Sequence, residues 1–102
     1  MAGSSPTSSI ELTRLDGALR IEGFVDGGSG EVKATLIIAH QGSGGTMNTR
    51  QGRAVQLSEN QRVSVSSTQI NFGPTSDLVV ELIVEDDTGV ISRSVTHITP
   101  QS

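Results

Sequence analysis

The sequence contains no cysteine, tryptophan or tyrosine. Without cysteine there can be no disulfides, thiolate zinc sites, iron–sulfur clusters or cysteine nucleophiles. Phe24 and Phe72 are the only aromatic side chains in 102 residues, so any core must be built from Val, Ile and Leu. A platform for stacking nucleic-acid bases needs exposed rings that this chain does not have. Seven Lys and Arg against eleven Asp and Glu give a net charge of −4, the wrong sign for affinity to phosphate backbones. No nucleic-acid partner is expected. No apolar run approaches the roughly 18–20 residues of a membrane-crossing helix, so no membrane insertion is expected. The first nine residues, MAGSSPTSS, lack the basic start and apolar stretch of a secretory signal. They are expected to form a disordered leader or mature N-terminus, with residues 99–102 a loose tail. Residues 10–98 then make a single small domain.

Helix signals are as scarce as aromatics. No segment keeps apolar residues at i, i+3, i+4 and i+7 for three turns, and twelve glycines interrupt the candidate windows. Alternation with a period of two is plentiful instead. Leu19, Ile21, Gly23 and Val25 share one face, with Arg20, Glu22 and Phe24 on the other. Val32, Ala34, Leu36 and Ile38 alternate with Lys33, Thr35 and Ile37. The apolar stretch Ala34–Ala39 predicts a central strand buried on both faces near its end. Shorter candidates are Ala54–Leu57, Val63–Ser67, and Ile70 with Phe72. Leu78, Val80, Leu82 and Val84 alternate with Val79, Glu81, Ile83 and Glu85. In Val90–Ile98, Ile91 and Val95 are expected on one side and Ser92, Ser94 and Thr96 on the other.

Turn chemistry separates these segments. Asp26–Gly30, Gln41–Gly45, Ser58–Gln61, Gly73–Asp77 and Asp86–Gly89 are rich in Gly, Asn, Asp, Ser and Pro. With Ile10–Leu15 as the first, seven strands are expected, near the 8–12-residue turn spacing of a sandwich. Seven antiparallel strands in one layer would leave an apolar face wet, so two packed sheets are the better solution. The expected class is all-β, an immunoglobulin-like two-sheet antiparallel sandwich without the Cys…Trp…Cys core of antibody domains.

Candidate catalytic and metal sites are weak. The glycine-rich turns lack the Lys-Ser/Thr pair and following helix of a phosphate-binding loop. Gly27–Glu31 does not fit a nucleophile elbow. His40 and His97 each stand at a strand end without a partner ligand at i+2 or i+4. Glu81, Glu85, Asp86 and Asp87 lack the twelve-residue loop of a calcium-binding hand and read as a solvated face. No enzyme, cofactor or metal is expected. Arg50, Arg53 and Arg62 stand out, because all charges between Thr46 and Gln56 are positive in an acidic protein. Such charges either keep a strand edge from pairing with other chains or contact a polar partner.

The residues from Val32 through Ile98 resemble the small periplasmic chaperones of the bacterial curli amyloid system, the CsgC/CsgH group. The matching features run in order. The strand ATLIIA from Ala34 precedes a Gly-Ser-Gly-Gly turn at Gly42–Gly45, then Thr49-Arg50-Gln51, Leu57-Ser58 and Asn60-Gln61. A strand closing near Ile70-Asn71, a Gly-Pro-Thr-Ser-Asp turn and the apolar LVVELIVED from Leu78 follow. The stretch LRIEGFV from Leu19 looks like the CsgH branch.

The resemblance implies an immunoglobulin-like fold, a periplasmic location after signal cleavage, and inhibition of premature polymerisation of a curlin-type amyloid subunit. One departure concerns the Cys-X-Cys pair of the enteric CsgC branch. Here Gly30-Glu31-Val32 lies near that position, so a thiol–disulfide role is impossible. Curlin subunits are Gln/Asn- and Gly-rich chains that stack through backbone ladders and side-chain amides. Contact with such a client is expected to be transient, polar and electrostatic, with Arg50, Arg53 and Arg62 as candidate contacts and the protein a monomer. Sheet-edge addition is the alternative mode. The competing function is a structural or adhesive immunoglobulin-like module of an extracellular protein.

Overall fold

Period-two alternation does produce seven strands in the computed structural model, which describes residues 6–42, 45–59, 61–73 and 76–99. They are β1 (Thr7–Leu15), β2 (Ala18–Asp26), β3 (Gly30–Gly42), β4 (Gly45–Leu57), β5 (Arg62–Asn71), β6 (Asp77–Asp86) and β7 (Gly89–Ile98). One sheet has the order β1-β2-β5 and the other β4-β3-β6-β7, with every paired neighbour antiparallel. This is the two-sheet sandwich expected from the pattern. In antibody constant domains the fourth strand joins the first sheet. Here β4 stays hydrogen-bonded to β3, so β4 and β5 are both edges, one in each sheet.

The core lies between the sheets and uses the alternating sets. Leu19, Ile21 and Val25 of β2 meet Val32, Ala34, Leu36 and Ile38 of β3 and Leu78, Val80, Leu82 and Val84 of β6. Val55, Leu57, Val65 and Ile70 close one side. Truncating a fully buried leucine such as Leu82 to Ala would cost about 2–5 kcal/mol. Gly23 is part of this packing by having no side chain. A Cβ there would lie 3.3 Å from Leu82 Cδ2 and 3.4 Å from Val65 Cγ2. Gly28 lets the chain cross between sheets, with φ at 78° in the region glycine favours.

Four local expectations are revised. β1 starts at Thr7 rather than Ile10, because Ser8 and Ser9 pair with Val25 and Phe24 and the Ser8 hydroxyl is bonded inside the sandwich. β4 is thirteen residues long, not the four of Ala54–Leu57. Backbone pairing to β3 from Gly45 onward needs no apolar alternation on a solvated edge strand. β5 runs unbroken from Arg62 to Asn71 where two short segments were expected. In β7, a register shift pairs Val84 with Ser92 and Glu85 with Val90, making Ile91 an extra residue. That bulge separates the expected pair: Ile91 packs against the core while Val95 is 57% exposed. Residues 1–5 of the expected leader and 100–102 of the tail lie outside the described residues.

Candidate binding surface

Strand β4 holds two of the three candidate arginines. Its pairing with β3 is continuous from Gly42↔Gly45 to Gly30↔Leu57, with no bulge. Arg50 is registered with Ile37 and Arg53 with Ala34, so neither has a charged cross-strand neighbour. Three residues apart on a strand, the two side chains leave opposite faces. Arg53 shares the parity of buried Val55 and Leu57, and leans over the gap between β4 and β5 beside Gln51, Val65, Ser66 and Ser67. Arg50 lies on the outer face of the four-stranded sheet. Both arginines are exposed, and among the described residues neither is in a salt bridge.

The β4–β5 side is bridged through Gln51. Its Nε2 donates to Thr68 Oγ1 at 3.3 Å and its Oε1 accepts from Ser66 Oγ at 2.7 Å. These contacts hold β4 over the core and use side chains only.

Arg62 belongs elsewhere. It opens β5 in the other sheet, opposite Asp26 of β2. Its Nη2 donates to Glu11 Oε2 at 2.5 Å, its Nε lies 4.0 Å from Asp26 Oδ1, and its guanidinium sits 4.0 Å from the Phe24 ring centroid. The structure therefore joins Arg50 and Arg53 on one strand and leaves Arg62 clamped on a different sheet. Sequence spacing could not separate them, because Arg62 is only nine positions beyond Arg53 and the sheet switch falls between β4 and β5.

The outer face of the four-stranded sheet carries a feature the sequence reading missed. Ile37, Ala39, Val79 and Ile83 are half-buried there, and Val95 is exposed. β3 is central, as expected, but among the described residues no layer covers this second face. The signal is present in the apolar runs ATLIIA and LVVELIV, of which the first predicts burial on both faces and the second a simple alternation. Thr35 on the same face is 2% exposed, and its Oγ1 has no hydrogen-bond partner among the described residues.

Several of the remaining polar candidates are bonded locally, whereas the buried His40 Nε2 has no partner among the described residues. Arg93 Nε is bonded to Glu81 Oε2 on the neighbouring strand. Asp86 Oδ1 accepts from Thr88 Oγ1 at 2.6 Å and Thr88 N at 2.8 Å. Those bonds, the hydroxyl first, hold the Asp86 carboxyl below its ordinary pKa. His97 Nε2 is 2.8 Å from Asp77 Oδ1. His40 lies beside Phe72, with ring centroids 6.3 Å apart. Among the described residues no group of three or more His, Cys, Asp or Glu is placed to hold a metal ion.

Fold and surface together define an immunoglobulin-like sandwich with a long edge strand whose charges are all basic and which, among the described residues, nothing covers. Two structures with this fold are R. palustris CsgH and the E. coli curli protein CsgC. The CsgH match has 19% identity, covers 86% of this chain and 89% of that one, and has a TM-score of 0.70. The CsgC match has 17% identity, covers 89% of this chain and 97% of that one, and has a TM-score of 0.77. The CsgC/CsgH resemblance carried by the residues is thus met by the fold. A Bacteroides uniformis β-glucuronidase contains a similar sandwich at 14% identity and a TM-score of 0.60; the match covers 95% of this chain but 14% of the enzyme. No protein-family model and no curated protein matches the chain.

Proposed function

We propose that this chain is a non-catalytic periplasmic chaperone of the curli type, which delays amyloid polymerisation of curlin-type subunits. The observation that carries this reading is coverage. The fold matches R. palustris CsgH and the E. coli curli protein CsgC over 89% and 97% of their lengths. Amyloid subunits rich in Gln and Asn present backbone donors, acceptors and amides rather than a greasy seam. A surface of backbone edge and guanidinium groups suits such a client, and contact through it is transient because exposed charge pairs are individually weak. Contact falls to Arg50 and Arg53, since the Arg62 guanidinium is engaged by Glu11, Asp26 and Phe24.

The test follows fibre formation by a purified curlin major subunit with a fibre-sensitive dye, with this protein well below equimolar. A long extension of the lag is expected, shrinking as salt rises, because charge contacts are screened beyond about 8–10 Å at physiological ionic strength. An unchanged lag with folded protein would overturn the reading. A second reading, a structural sandwich module, is favoured by the β-glucuronidase match, in which the same fold occupies a small part of a large enzyme. The unchanged lag would support it.

A further inference from the structure

We infer that β4 is a strand-addition site for an extended polypeptide bearing two acidic side chains three residues apart. This deepens the client-binding reading and rests on it for the partner being a strand-forming chain.

On the outermost strand of an antiparallel sheet, alternate residues turn both N–H and C=O away from their neighbour. β4 presents such a row over thirteen residues. Natural edges are protected by a bulge, a proline, a short strand or charged side chains. β4 has only the last: its register is unbroken, it contains no proline and it equals β3 in length, but it carries Arg50 and Arg53. The other edges differ. β1 and β7 bond to each other through serine hydroxyls, and β7 has its bulge at Ile91.

The arginines decide what can add. Arg50 and Arg53 face Ile37 and Ala34 across the ladder and, among the described residues, are in no salt bridge. A strand added on the far side of β4 can therefore supply their countercharge. Their opposite faces mean that an added strand meets one guanidinium above the sheet and the other below. Carboxylates at positions i and i+3 of that strand satisfy both, whereas i and i+4 would share one face. A second copy of this chain is disfavoured. Antiparallel self-pairing over the full strand sets Arg50 opposite Gly52 of the other copy, which places the two Arg50 side chains diagonally on one face. Like charges so placed repel. The same two residues thus deter self-association and uncharged cross-β stacking while admitting an acidic strand.

The experiment uses the full chain, isotope-labelled for amide hydrogen exchange, and a ten-residue peptide of Gln, Asn, Ser and Thr with two Asp at i and i+3. Controls carry Asp at i and i+4, or Lys at i and i+3. Slowed exchange at alternate amides of β4, and not of β1, β5 or β7, is expected with the first peptide. Arg50→Glu with Arg53→Glu is expected to weaken that peptide on the order of tenfold and to transfer preference to the Lys peptide. Arg50→Gln with Arg53→Gln serves if the reversal unfolds the chain. No slowing along β4 at saturating peptide, slowing at another edge, or equal binding by the variant would overturn the proposal. The curlin lag separates the two readings. Peptide held on β4 with an unchanged lag sinks the chaperone, while an extended lag with β4 amides unprotected by peptide sinks the edge site.

Discussion

The Ser8 hydroxyl lies 2.8 Å from the hydroxyls of both Ser92 and Ser94, joining β1 of one sheet to β7 of the other. Ser94 Oγ also donates to the Ser8 carbonyl at 2.8 Å, and Ser8 N donates to Ser92 Oγ at 3.1 Å. With the Ser94 proton committed to that carbonyl, Ser8 Oγ donates to Ser94 and Ser92 Oγ donates to Ser8. Each hydroxyl then gives one hydrogen bond and accepts at least one.

Ser8→Ala breaks two of these bonds and leaves partners in a half-buried seam. The expected loss is about 1–2 kcal/mol of stability. Urea unfolding reads it as a lower midpoint at unchanged slope. A cycle with Ser94→Ala should show strong coupling, because each substitution removes a bond the other needs.

The three arginines divide into two roles. If the proposed chaperone reading holds, Arg50→Ser with Arg53→Ser shortens the lag extension with stability changed by less than about 0.5 kcal/mol. Arg62→Ser leaves the lag extension intact and lowers stability by about 1 kcal/mol, through the Phe24 stacking and the Glu11 pair. The fibre assay and thermal unfolding, run on the same two variants, check both halves.

Thr35 buries a hydroxyl that bonds to nothing among the described residues. An unsatisfied buried hydroxyl costs about 1–3 kcal/mol, so Thr35→Val, which keeps the branched shape, is expected to stabilise by about 1 kcal/mol. A lowered urea midpoint would show that the hydroxyl is satisfied in solution.

Asp86 is held ionised by Thr88, first through its hydroxyl and then through its amide. Its folded pKa lies below the ordinary 3.8, so its contribution to stability is present above that value. The contribution is lost as pH falls through the lowered folded value. Thr88→Val removes the hydroxyl bond and raises the Asp86 pKa toward the ordinary one. Carboxyl titration by NMR reads the upward shift.

Much of the sandwich was legible because β2, β3 and β6 must bury one face, and burial writes itself as alternation. Leu78, Val80, Leu82 and Val84 are buried as the pattern required. β4 between Gly45 and Arg53 was illegible for the opposite reason. Its backbone pairs with β3, and its inward positions Met47, Thr49, Gln51 and Arg53 are mostly polar, so no hydrophobic period marks it. Ser8 was hidden likewise, since a serine run at a chain start gives no sign that its hydroxyls are claimed by residues more than eighty positions away. Of the candidate site, the positive bias around Arg50 and Arg53 was visible. The sheet switch that removes Arg62 is topology, which local spacing does not carry.

The serine seam also sets an order of events in time. β1 pairs with β2 across the two-residue turn at Asp16 and Gly17, a contact that closes quickly. The Ser8–Ser92 and Ser8–Ser94 bonds span 84 and 86 residues, and the entropy of closing so long a loop is met only once the intervening strands have condensed. The two sheets are expected to zip along this side last and to come apart there first. Weakening the seam therefore accelerates unfolding while leaving the folding rate nearly unchanged.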